Sequence, residues 1–215
     1  MYDKHLLSLR VGIIEREYKM DIRFLFYKPD FDGHLLDDGI AQWTRLWNPQ
    51  TWGKGLLCSH AEIWVSNTLG KFNLDSYKTG SCYTSTMQTV KRNKYNGVRM
   101  AHANEILKHP VRWYYYEVPI NGYLMDDVEY LMGEDIKNNK GYDKKAILSY
   151  FTPWRFGATD KYICSEFCGD KIYFIACHCE EKWAVIFRDL YKPCPSPLRL
   201  SYWLWKSGLE KHNLT

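Results

Sequence analysis

The chain has 215 residues, 25% charged and 16% aromatic, and its 29 basic and 25 acidic residues leave a net charge of +4. A chain of this size buries about 70% of its unfolded surface in one domain, and so aromatic a composition with nearly balanced charge excludes disorder over most of its length. No apolar run approaches the roughly 20 residues a membrane-spanning helix needs, the longest being Ile172–Cys177.

Residues 1–20 form an unassigned N-terminal extension that carries Asp3, Arg10, Glu15, Arg16, Glu17 and Lys19. Such a stretch is not an apolar signal region, so the expectation is a protein without a signal peptide, held in a reducing cytoplasm. Its seven cysteines are then expected as thiols. Ile22–Tyr27 is β-branched and aromatic and predicts a buried strand. Lys28–Gly33 reads as a loop. Asp37 or Asp38 is then expected to cap a helix whose apolar face is Ile40, Trp43, Leu46 and Trp47, stopped by Pro49. After a break at Gly53–Gly55, His60–Val65 predicts a second strand. A long polar connection, residues 67–80, leads to a strand at Ser81–Thr86, expected to run antiparallel to it. Gly97-Val98-Arg99 reads as a turn before His102.

Trp113–Val118 predicts a further strand, Asn121-Gly122 a turn, and Met125–Met132 a short helix. Asp143 is a plausible cap for a helix containing Ile147, Leu148 and Phe151 and stopped by Pro153. A helix over Cys164–Cys177 follows. A proline-bearing strap, Pro193–Pro197, then leads to a helical stretch at Trp203–Trp205. Strands clustered between helices predict an α+β fold, a central antiparallel sheet packed against helices. The expected domain spans residues 21–206, with 207–215 as a C-terminal tail.

Chemistry concentrates in Lys161-Tyr162-Ile163-Cys164-Ser165-Glu166-Phe167-Cys168. Cys164 falls where a helix begins, and the outward N–H groups and partial positive charge of a helix N-terminus favour a thiolate and a developing oxyanion. A small buried hydrophobe is the plainer use of such a cysteine. Of seven histidines, His60 is the preferred base, because it opens an apolar strand directly after a glycine-rich break. A core histidine bonded to a carbonyl is the alternative. Cys58-Ser59-His60 and Cys177-His178-Cys179 are poor zinc knuckles, so no metal and no cofactor is expected. Lys91, Arg92, Lys94 and Arg99 beside Tyr95 suit phosphate contacts or a solvated loop, and the modest net charge ranks nucleic-acid binding last.

Taken in order, Ser59-His60-Ala61-Glu62-Ile63-Trp64, then Cys82-Tyr83-Thr84-Ser85-Thr86, then Tyr142-Asp143, Cys164-Ser165-Glu166-Phe167-Cys168 and Ser196-Pro197 resemble a known family. The chain resembles the circularly permuted, papain-like branch of the NlpC-type cysteine hydrolase superfamily, most of all its small bacteriophage members. The resemblance covers roughly residues 20–205, and in the permuted branch the histidine strand precedes the cysteine helix. It implies a permuted papain-like fold, Cys164 as nucleophile, His60 as general base, and a third polar residue on the following strand. That strand offers Thr84, or Ser85, where more active-looking members place Glu, His, Asn or Gln. Glu62 projects from the same strand face as His60 and is an alternative orienter. The implied activity is hydrolysis of an amide or ester bond in a peptide or acyl substrate, in a host cytoplasm or a virion. The competing expectation is a non-catalytic binding protein on the same fold.

Overall fold

A computed structural model describes residues 19–29, 35–66, 79–87, 89–90, 93–94, 96–147, 160–193 and 195–214. In chain order the elements are β1 (Lys19–Tyr27), α1 (Leu35–Leu46), β2 (His60–Val65), β3 (Ser81–Thr86), β4 (Thr89–Val90), β5 (Asn93–Lys94), β6 (Gly97–His102), α2 (Ala103–Ile106), β7 (Trp113–Asn121), α3 (Gly122–Lys137), β8 (Gly141–Tyr142), β9 (Lys161–Tyr162), α4 (Cys164–Cys177), α5 (Lys182–Leu190), α6 (Pro197–Lys206) and β10 (Lys211–Asn213). The fold is α+β. One sheet has the order β10-β7-β1-β2-β3-β6-β8-β9, antiparallel throughout except for the parallel β8–β9 pair, and β4 and β5 form a separate ribbon.

Both faces of the central strands are covered, which is why Phe24–Phe26 of β1 and Trp113–Tyr116 of β7 are buried at consecutive positions rather than at alternate ones. Ile22, Phe24 and Phe26 of β1 and Tyr114, Tyr116 and Val118 of β7 meet α3, α4, α5 and α6 in the larger core. Leu25, Trp64, Trp113 and Tyr115 join Cys82, Ala103 and Leu107 in a smaller core. Polar pins lock the helices onto the sheet. Ser201 on α6 hydrogen-bonds the hydroxyls of both Tyr114 (3.0 Å) and Tyr116 (3.2 Å). The Asp135 carboxylate on α3 takes ion pairs from Lys171 of α4 (2.5 Å) and Lys140 (2.7 Å). At the narrow crossing of β6 and β8, Gly97 has φ +150°, and a Cβ there would run into the carbonyl oxygen of Lys140.

Several expectations are corrected. α1 begins at Leu35, so Asp37 and Asp38 lie inside it, and Leu46 and Trp47 are exposed rather than part of its buried face. Asn121-Gly122 is no free turn: β7 runs straight into α3, and the Asn121 side chain caps the helix by accepting from the Leu124 N–H at 2.8 Å. That cap starts α3 at Gly122, ahead of Met125. Gly97-Val98-Arg99 opens a strand that pairs with β3, not a turn. α6 starts at Pro197 behind a Ser196 cap, where proline's fixed φ suits the first helical position. Lys211–Asn213 pair with Tyr114–Tyr116, so part of the expected tail is an edge strand. Asp143 does cap a turn, accepting from the N–H groups of Lys145 and Ala146 at 3.0 Å each. Leu148, Phe151 and Pro153 lie outside the described residues, as do the polar connection from 67 to 78, most of the 28–33 loop, and residues 1–18.

Candidate active site

His60 is the first residue of β2 and sits opposite Tyr27 of β1. The Ser59 N–H donates to the Tyr27 carbonyl at 3.1 Å and fixes the backbone just ahead of it. The indole of Trp113 stands edge-on to the imidazole, with ring centroids 6.4 Å apart. Two residues along the strand, Glu62 projects from the same face, and its Oε1 lies 3.1 Å from His60 Nε2. Glu62 in turn is gripped by Arg99 of β6, whose Nη2 donates to Oε1 at 2.7 Å and Nη1 to Oε2 at 3.5 Å. Glu62 and Arg99 are both buried. A buried carboxylate is tolerated there because a guanidinium meets it with two donors.

Cys164 opens α4, and its sulfur lies close enough to the His60 imidazole to favour the charged ring. Its N-cap is Ile163, whose apolar side chain gives the first turn no capping bond. Three bonds fix the start of the helix against its neighbours. The Ser85 hydroxyl of β3 donates to the Tyr162 carbonyl at 2.8 Å, and the Asp143 N–H donates to the same carbonyl at 3.0 Å. The Ser165 hydroxyl donates to the Pro195 carbonyl at 2.6 Å. The result is one row, Cys164–His60–Glu62–Arg99, with both ends buried: Cys164 is 4% and Arg99 1% exposed.

Charge is distributed along that row in a definite way. Burial opposes a charged His60, but the Cys164 sulfur and the Glu62 carboxylate outweigh it, and the imidazole is pushed up to about 10. Burial likewise opposes ionisation of Glu62, and Arg99, then His60, overcome it and hold the carboxyl below its usual range. Three thiols elsewhere in the core are held neutral. Burial pushes Cys58 up to about 12 and both Cys82 and Cys168 well above the usual thiol value. These three stay protonated and unreactive at neutral pH.

The sequence candidates therefore separate. Cys164, His60 and Glu62 come together. Thr84 does not reach the imidazole: it pairs with Arg99 in the β3–β6 register, and its hydroxyl donates to the Ala61 carbonyl at 2.8 Å. The position facing His60 Nε2 is filled by Glu62. Ser85 serves the cysteine side, through Tyr162. Arg99, read as a possible phosphate contact, is buried in its ion pair. The soft-ligand motif Cys177-His178-Cys179 lies at the far end of α4, about 20 Å along the helix axis from Cys164. Among the described residues, no group of three or more His, Cys, Asp or Glu side chains is placed to hold a metal ion. Likewise, among them no helix is long and apolar enough to cross a membrane. Comparison with known proteins returned no match: no family model, no curated protein and no solved structure is significantly similar to the chain.

Proposed function

We propose that the protein is a thiol hydrolase of amide or ester bonds, built on a permuted papain-like, NlpC-type arrangement. The observation that carries this reading is the Cys164–His60–Glu62 row at the N-terminus of α4, with Glu62 held ionised by Arg99. His60 takes the thiol proton and holds the sulfur as a thiolate within an ion pair. Glu62 on Nε2 fixes the ring and stabilises the imidazolium, which leaves Nδ1 as the nitrogen for the sulfur. The thiolate attacks a carbonyl carbon, and the outward N–H groups of the first helical turn stabilise the oxyanion. The imidazolium returns its proton to the leaving amine or alcohol, and water then releases the acyl-enzyme. The histidine strand precedes the cysteine helix, as the permuted order requires, and α4 packs on β2 and β3.

The test is site-resolved alkylation of the native protein with low iodoacetamide across pH 5–9, read by mass spectrometry beside a His60→Ala variant. Cys164 is expected to label well below pH 7 and ahead of Cys58, Cys82 and Cys168, and to lose that advantage without His60. Labelling of Cys164 no faster than those three, or indifferent to His60, sinks the hydrolase reading. One observation favours the second reading, a non-catalytic binding protein on the same fold: Cys164 is only 4% exposed, so little of the sulfur is open to a substrate. That reading predicts an unreactive Cys164.

A further inference from the structure

The loop that leads into β2 carries an exposed surface unrelated to the thiol site. At the C-terminal end of α1, Leu46 and Trp47 are each 63% exposed, and Trp52, just past the Pro49–Thr51 turn, is 53% exposed. The Trp52 ring is not loose: its indole N–H donates to the Arg45 carbonyl at 2.8 Å. Gln42, Arg45, Leu46 and Trp52 line a cleft of about 500 Å³. Two residues after Trp52, the Lys54 ammonium lies 4.0 Å above the ring centroid of Trp205 on α6, which is itself 39% exposed. No acidic residue occurs between Asp38 and Glu62, or anywhere in α6, so the segments that carry these aromatics bring cations and no carboxylate of their own.

We propose that this surface, Arg45, Leu46, Trp47, Trp52, Lys54 and Trp205, docks the protein on an anionic phospholipid bilayer. Indole rings prefer the headgroup level, where an apolar body and an N–H edge are both accommodated. Lysine and arginine carry their stems along apolar surface and place their charge among lipid phosphates. Leu46 distinguishes this surface from a nucleic-acid platform: an aliphatic side chain has no base to stack on, whereas acyl chains accept it. Two other strongly exposed aromatics among the described residues make the contrast. Tyr123 and Tyr130 lie on α3 among Asp126, Asp127 and Glu129, a surface that an anionic bilayer repels.

The experiment is cosedimentation of the full chain with vesicles of phosphatidylcholine, with and without phosphatidylglycerol, at low and high salt. Binding is expected to the anionic vesicles and to weaken with salt. Arg45→Gln and Lys54→Gln should each lower affinity about fivefold. The pair Leu46→Gln with Trp47→Ala should lower it about tenfold or more, since adsorption scales with the apolar area inserted. Tyr123→Ala with Tyr130→Ala should leave it unchanged, and far-ultraviolet circular dichroism verifies that each variant folds. Equal binding to neutral vesicles, no binding to either, or an equal loss in the tyrosine variant overturns the proposal. So does tight binding to oligothymidylate without binding to vesicles, which makes the surface a nucleic-acid site. The wild-type comparison of the two vesicle types decides the matter even where a variant does not fold.

Discussion

Replacing Glu62 by Gln removes one charge from the middle of the buried row and takes from Arg99 the carboxylate it grips. At 2.7 Å, and with the effective dielectric of about 20 suited to protein sites, the Glu62–Arg99 attraction is on the order of 6 kcal/mol. Most of that attraction offsets the cost of drying two ions, so the intact pair adds little to stability. Removing one partner is another matter, because the second stays buried and uncompensated, at a cost of about 3–5 kcal/mol. That is a large share of the 5–15 kcal/mol or so by which domains are stable. Urea unfolding of Glu62→Gln should therefore show a midpoint far below wild type. A double variant, Glu62→Leu with Arg99→Met, should recover part of the loss, because it removes both ions of the Glu62–Arg99 pair together. The two single changes would then be strongly non-additive. A Glu62→Gln loss under about 1 kcal/mol, or a double variant as unstable as the sum of its singles, would refute the buried-pair reasoning.

Thr84→Val should leave the pH profile of Cys164 alkylation unmoved, because the hydroxyl serves the Ala61 carbonyl. A profile shifted toward higher pH would return Thr84 to the imidazole. His60, pushed up to about 10, binds its proton more tightly folded than unfolded. Its contribution to stability is thus full below about 6.5 and is lost as pH rises toward 10. Urea midpoints should fall over that window in the wild type and not in His60→Ala; a flat wild-type curve contradicts the assigned proton. Ser201→Ala strips two buried tyrosine hydroxyls of their shared partner and should cost about 1–3 kcal/mol in the same assay.

The elements that could be read from sequence are those whose residues declare both face and limits. His60–Val65, Ser81–Thr86 and Cys164–Cys177 coincide with β2, β3 and α4. Period two along β2 was enough to set Glu62 beside His60. Arg99 could not be read. An arginine in Gly97-Val98-Arg99-Met100 looks like a solvated cation, and only the β3–β6 register turns it inward toward a carboxylate 37 residues earlier. α5 was missed although Trp183, Ala184 and Phe187 share one buried face, because Val185 and Ile186 make its apolar residues a continuous run with no helical period and no side chain caps its start. β10 was missed because Lys211-His212-Asn213 has no strand composition. It is a strand only because the free edge of β7 offers it hydrogen bonds.

Reactivity at Cys164 depends on two separate quantities, the thiolate fraction and access to the sulfur. In the proposed mechanism His60 supplies the first by taking the thiol proton. The second is small, since Cys164 is 4% and His60 8% exposed. A reagent or substrate must reach the sulfur along the line of attack, so the chemistry needs a local opening of the structure around the α4 N-terminus. Opening and reaction then occur in series. At low iodoacetamide the Cys164 rate should rise in proportion to reagent. At high reagent it should level off at the opening rate, while exposed Cys177 continues to rise linearly. Ser85→Ala removes the bond that holds the Tyr162 carbonyl two residues before Cys164, a loss of about 1 kcal/mol, and should lift the plateau several-fold. The low-pH advantage of Cys164 should persist in that variant, because His60 and Glu62 are untouched. A rate that stays linear at every reagent concentration, with no response to Ser85→Ala, would mean that the sulfur is reached without opening. The static burial of the site would then have no bearing on its function.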